Sequence, residues 1–116
     1  MLKNLTPQDV KALLDAGKIT LVDVREPNEY ANERIHGALL CPLSTFDVND
    51  LPESSASRPL VFHCGAGVRS AKAVAACEAA GLPHNHHMQG GMGAWKAAGL
   101  PYLKIDPATG KMCEQC

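Results

Sequence analysis

The residues best suited to chemistry stand together in Cys64-Gly65-Ala66-Gly67-Val68-Arg69-Ser70. A thiol, two glycines and a guanidinium in so short a run suit a loop that cradles an anion beside a nucleophile. Gly65 and Gly67 permit backbone angles closed to other residues, so successive N–H groups can converge on one point. Before the loop, Leu60-Val61-Phe62 is an apolar run long enough for one buried strand. From Ser70 the chain turns alanine-rich and reads as a helix through Ala80. Cys64 is therefore expected where a strand ends and a helix begins, facing unpaired N–H donors and a partial positive charge. Those features lower a thiol's pKa and make it a nucleophile near neutral pH. Arg69 adds a full positive charge five residues on.

The elements that must position this loop follow from patterning. Thr6 suits a helix cap, Pro7 the first helical position and Asp9 the first turn, with Val10, Leu13 and Leu14 forming one apolar stripe and Gly17 a stop. Ile19 to Val24 is a β-branched strand, after which charge appears abruptly in Arg25 and Glu26 and Pro27 starts a short helix. Ala38 to Cys41 reads as a short buried strand, and Asp47 to Arg58 as a polar surface loop. Gly81-Leu82-Pro83 closes the central helix, and His84 to Met88 is a last, unusually polar strand. Gln89 to Pro101 is a glycine turn, a short helix and a stop. Residues 1–105 form one domain, and 106–116 a flexible tail ending in Cys113-Glu114-Gln115-Cys116. Alternating strands and helices predict an α/β fold with a mainly parallel sheet. Sites in such sheets lie at the carboxyl ends of strands, which gathers Asp23, Arg25, Glu26 and Cys64 at one place.

Composition excludes several function classes. The chain has 116 residues, 46% hydrophobic and 20% charged, with a net charge of -1, so nothing argues for nucleic acid or an anionic membrane as partner. No apolar run approaches the roughly 20 residues that span a bilayer, and residues 1–5 lack the apolar segment of a signal peptide, so the expected location is cytoplasmic. Five cysteines, an odd number and mostly far apart, do not make a secreted disulfide framework, and reduced thiols fit better.

Four segments together resemble the single-domain rhodaneses, a family of sulfurtransferases. They are Leu21-Val22-Asp23-Val24-Arg25-Glu26, Ile35-His36-Gly37-Ala38, Val61 to Ser70, and Gln89-Gly90-Gly91-Met92-Gly93-Ala94-Trp95, in the family's order. The resemblance covers roughly residues 4 to 103. It implies a central five-stranded parallel sheet with helices on both faces. It also implies that Cys64 takes a sulfane sulfur from a donor such as thiosulfate, becomes a persulfide and passes the sulfur to cyanide or a thiol, with no cofactor and no metal. Gly65, Ala66, Gly67 and Val68, with Ser70 closing the run, carry over as main-chain donors to the persulfide. Arg69 either attracts an anionic donor or pairs with a carboxylate, Asp23 or Glu26, to hold the loop. By the same analogy Asp23 is structural and Arg25 lines the rim. Glutathione persulfide, thioredoxin, a cysteine desulfurase or another sulfur-relay protein fit as partners.

Two other classes fit a loop cysteine. Phosphatases and arsenate reductases of this fold place five residues between cysteine and arginine, whereas here there are four, Gly65 to Val68. The shorter loop favours a lone sulfur over a tetrahedral oxyanion. A sulfur-carrier or binding module without turnover is the other class, although such domains usually lack the cysteine. Strand alternation turns His63 away from Cys64, so it is no general base. Cys41, Cys77, Met92 and Trp95 read as packing. Cys113 and Cys116 have two readings beyond a solvated tail. One of them accepts sulfur from Cys64 or resolves its persulfide as a disulfide, or the pair is half of a zinc site completed from His84, His86 and His87, themselves read first as a polar strand edge.

Overall fold

The computed structural model describes residues 1–115. Its first helix, α1 (Pro7–Asp15), begins as the caps dictate: the Thr6 hydroxyl accepts from the Asp9 N–H at 3.1 Å, and the Asp9 carboxylate accepts from the Thr6 N–H at 3.2 Å. Two of the N–H groups that a helix start leaves bare are thereby satisfied.

The central sheet is five-stranded and wholly parallel. Its strands are β1 (Lys3–Leu5), β2 (Thr20–Asp23), β4 (Leu39–Leu40), β5 (Leu60–His63) and β6 (His86–Met88), in the order β1-β6-β5-β2-β4. Between them run α2 (Pro27–Asn32), α3 (Val68–Ala79) and α4 (Gly91–Ala97). Alternation along β5 sorts the core. Val61 joins Leu21, Met88 and Trp95 on one face, against α1 and α4. Leu60, Phe62 and Cys64 join Val22, Val24 and the α3 residues Ala73, Val74 and Cys77 on the other. The reading of an α/β fold with helices on both faces of a parallel sheet holds, and Cys77 packs in the core.

Two expectations are corrected, and one strand is new. β1 was not legible: three residues, two of them polar, carry no periodicity, and the strand exists because β6 offers it a free edge. The histidine-rich β6 is therefore not an edge; it pairs with β1 and β5. Within the C-terminal segment, Met112–Gln115 is paired strand. With Glu33–Arg34 as β3, the strands β7 (Tyr102–Ile105) and β8 (Met112–Gln115) make a second, antiparallel sheet in the order β3-β7-β8. The turn residues Asp106 to Gly110 that read as a linker instead form the hairpin's tip, where Asp106 Oδ1 accepts from Ala108 N–H. Among the described residues no helix is long and apolar enough to cross a membrane.

Two glycines with positive φ differ in what surrounds them. At Gly91 (φ +58°) an added Cβ would overlap the carbonyl oxygen of Cys64 and lie 2.7 Å from the carbonyl carbon of Gly65. At Gly99 (φ +72°) it would meet open space. Gly99→Ala should cost only the left-handed strain, about 1 kcal/mol. Gly91→Ala should cost more than about 3 kcal/mol, because backbone must move as well. Urea unfolding of the two variants measures the difference, and equal losses would contradict it.

Candidate active site

The site begins where β5 ends. Cys64 continues the inward face of the strand and is 1% exposed. The chain then loops through Gly65 and Ala66 to Gly67, whose φ of 101° makes it the N-cap of α3 without a side chain to satisfy the first N–H groups. Those donors turn to the sulfur instead: the Gly67 N–H points at Cys64 Sγ, 3.0 Å away. The loop's outer side is fastened to the start of α4, where the Met92 N–H donates to Cys64 O at 2.7 Å and the Gly93 N–H to Gly65 O at 3.0 Å. With those carbonyls engaged outward, the amides face inward.

This arrangement sets the ionisation of Cys64. Burial pushes the thiol's pKa up, but the hydrogen bond between Cys64 and the Ser70 side chain and those from the Ser70, Gly67 and Ala66 N–H groups outweigh it, and the net shift is downward. Cys41 and Cys77 have no such donors, and burial moves both upward. Cys64 is thus the thiol of the three poised to be a nucleophile. Of the loop residues named from sequence, Ala66, Gly67 and Ser70 place donors at the sulfur. Gly65 makes room for Arg69, whose Nη2 lies 3.1 Å from where a Gly65 Cβ would stand. Val68 is exposed on the lip, and its main-chain group is not among the donors that lower the thiol's pKa.

The charged residues are rearranged relative to the sequence reading. Arg69 pairs with neither Asp23 nor Glu26. It reaches Glu29 on α2, with Nη1 to Oε1 at 2.6 Å and Nη2 to Oε2 at 3.0 Å, in a two-pronged bridge across the loop. That bridge holds the Glu29 carboxyl down to about 2 and pushes Arg69 further up. Glu26 instead offers its N–H to Glu29 and its carboxylate to the Ser44 hydroxyl at 2.6 Å. Arg25 is not on the rim. It is 3% exposed and clamps Asp23 through Nε and Nη2 at 2.8 to 3.1 Å, with Nη2 also donating to Glu33 O at 2.7 Å. Asp23 is fully buried and accepts the Arg25 N–H as well. A chain too short to bury much charge does so here because each lone pair finds a donor.

His63 faces away from the sulfur, as alternation required. Its Nδ1 lies 3.3 Å from Cys64 O and its Nε2 3.5 Å from Asp23 Oδ2, and burial above all pushes its pKa down. The sequence reading missed two residues beside the nucleophile. Glu29 stands three residues after a helix cap, a position that reads as a capping residue. His87 is in register with the inward-facing Phe62 and contacts Ser70, a relation that strand alternation in β6 alone would have hinted at. Cys113 lies exposed on β8 opposite Lys104, in the second sheet rather than the one that carries Cys64, and Cys116 lies outside the described residues. Among the described residues no group of three or more His, Cys, Asp or Glu is placed to hold a metal ion.

Comparison with known proteins points the same way. The rhodanese-like domain family matches residues 6–98. A sulfurtransferase of Allochromatium vinosum is 34% identical over 91 residues, 78% of this chain and 84% of that protein. An uncharacterized protein of Synechocystis is 36% identical over 90% of this chain, which spans 58% of that protein's length. The solution structure of a rhodanese-like domain from Anabaena superposes with a TM-score of 0.76 at 27% identity, covering 96% of this chain and 89% of the other.

The Arg69–Glu29 bridge makes a pH-dependent contribution. The folded carboxyl titrates near 2 against an ordinary 4.5, so the stabilisation is complete above pH 4.5 and is lost as the pH falls from there through 2. With both partners a third exposed, it amounts to less than about 1 kcal/mol. Urea midpoints of wild type and Glu29→Gln should differ at pH 5.5 and converge towards pH 2. A gap that stays constant would show that the bridge is not its source.

Proposed function

The chain belongs to the rhodanese-like domain family, and we propose that it is a sulfurtransferase that carries a sulfane sulfur on Cys64 as a persulfide. The observation that carries this reading is a buried thiol accepting N–H donors at the start of α3, with its pKa held down by them. The reaction needs no group that these residues do not supply. The Cys64 thiolate attacks the outer sulfur of thiosulfate, an S–S bond forms, and the sulfur–sulfur bond of the donor breaks as sulfite leaves with the electron pair. The negative charge now rests on the outer sulfur, where the N–H groups of Ala66, Gly67 and Ser70 hold it. Cyanide or a thiolate then attacks that sulfur, and Cys64 leaves as thiolate, ready for the next donor.

The partners we assign are a small anionic sulfur donor and a cyanide or thiol acceptor, with thioredoxin or a sulfur-relay protein as the protein-borne version of the acceptor. Ala66 and Val68, the exposed residues of the loop, form the lip past which either arrives. Arg69, with Glu29 neutralising it, serves to hold the loop closed rather than to grip a donor. The proposal gives no step to Cys113.

Thiosulfate treatment should add one sulfur to the protein by mass, and thiosulfate with cyanide should release thiocyanate. Cys64→Ser should lose the added sulfur and lower the thiocyanate rate about a thousandfold or more, while a Cys113→Ser, Cys116→Ser double variant keeps both. Sulfur retained in Cys64→Ser would remove Cys64 from its role. Hydrolysis of an aryl phosphate in place of thiocyanate release would replace sulfur transfer with phosphoryl chemistry.

A further inference from the structure

We propose that His87, acting through Ser70, receives the proton that Cys64 gives up and thereby sets how much of Cys64 is thiolate. This deepens the sulfurtransferase reading, on which its biological meaning rests. The geometry is a chain of hydrogen bonds from three separate elements. Ser70 Oγ, on α3, lies 3.6 Å from Cys64 Sγ and 2.8 Å from His87 Nδ1, on β6. His87 Nε2 lies 2.6 Å from Asn4 Oδ1, on β1. Cys64, Ser70 and His87 are all buried, at 1%, 0% and 5% exposure.

The donors and acceptors can be placed in order along the chain. An amide oxygen only accepts, so His87 Nε2 carries a hydrogen. Burial keeps the ring neutral, which leaves Nδ1 as an acceptor, and the Ser70 hydroxyl donates to it. The one hydrogen of Ser70 is then committed, and its oxygen accepts from the Cys64 thiol. Moving the thiol proton to Ser70 as the Ser70 proton moves to His87 breaks one S–H bond and makes one N–H bond, with no net charge entering the site and nothing oxidised. The products suit the same positions: Ser70 donates to the thiolate, and both N–H groups of the imidazolium have acceptors, in Ser70 Oγ and Asn4 Oδ1. The thiolate and imidazolium, one hydroxyl apart, favour each other's charge.

The surroundings leave this exchange undisturbed. Asn4 from β1, Phe62 from β5, Ser70 from α3 and Gly67 from the loop lie against His87, and all four are uncharged. Lys3, beside Asn4, bears on His86 and not on His87. The competing acceptor for Ser70, the Gly67 carbonyl at 3.2 Å, is the longer contact. His87 is therefore a positioning residue: it decides where the Ser70 hydrogen points and where the Cys64 proton goes.

The test is the pH profile of Cys64 alkylation by iodoacetamide, read by mass spectrometry on the Cys64 peptide. In His87→Gln the midpoint should rise by about one pH unit, a roughly tenfold loss of reactivity at pH 7, with the high-pH plateau unchanged. The pair Ser70→Ala, His87→Gln should be no slower than Ser70→Ala alone. Asn4→Asp, at an exposed position, should move the midpoint down by placing a carboxylate at the Nε2 hydrogen. A midpoint unmoved in both His87→Gln and Asn4→Asp, or a His87→Gln deficit that persists on the plateau, overturns the proposal. Alkylation uses no sulfur donor. A His87-dependent profile in a protein that gains no sulfur from thiosulfate would thus keep this inference and discard sulfur transfer.

Discussion

The hydrogen bonds from Met92 and Gly93 to the carbonyls of Cys64 and Gly65 decide which way the loop faces. A peptide group points its N–H and C=O in opposite directions. Once the start of α4 has engaged those oxygens, the Ala66 amide, in the same peptide as the Gly65 carbonyl, turns inward towards the sulfur. The approach is close enough that Gly91 tolerates no side chain, and α4 itself is held by the burial of Met92 and Trp95 and by the Trp95 indole donating to Pro101 O at 2.8 Å. The chemistry of Cys64 therefore depends on a helix that begins 27 residues later and touches the loop from outside.

Burial and hydrogen bonding compete at every cysteine in the core, and the outcome differs by site. At Cys41 and Cys77 burial prevails and the thiol stays protonated. At Cys64 the desolvation is met by several donors at once, and they prevail. The same arithmetic governs the carboxylates. Asp23 can be buried as a carboxylate because Arg25 and a main-chain N–H occupy its oxygens. That pair also reaches Glu33 O, which joins the end of β2 to the second sheet beneath the loop.

Much of this was legible because it is local. The Thr6 cap, the glycines of the loop, the alternation that separates His63 from Cys64 and the stripe that buries Cys77 each follow from neighbours a few residues apart. The misread features are those in which one residue had several chemically equal choices. Asp23, Glu26 and Glu29 were all suitable partners for Arg69, and α2 delivers the third because Glu26 spends its carboxylate on Ser44. Residues 106–116 read as a tail because their turn signals dominate, whereas β7 supplies the strand edge with which Met112–Gln115 pairs.

The candidate thiol, the loop around it and the helix start that follows could be read from the sequence alone, since these are consecutive residues with fixed local geometry. Which side chains surround the thiol depends on contacts distant in sequence. Glu29 meets Arg69 across 40 residues, and Asn4 meets His87 across 83. The physical reason is range: a hydrogen bond acts over about 3 Å, so which polar groups meet is set by sheet order and register, and those follow from how the two apolar faces of the sheet are covered.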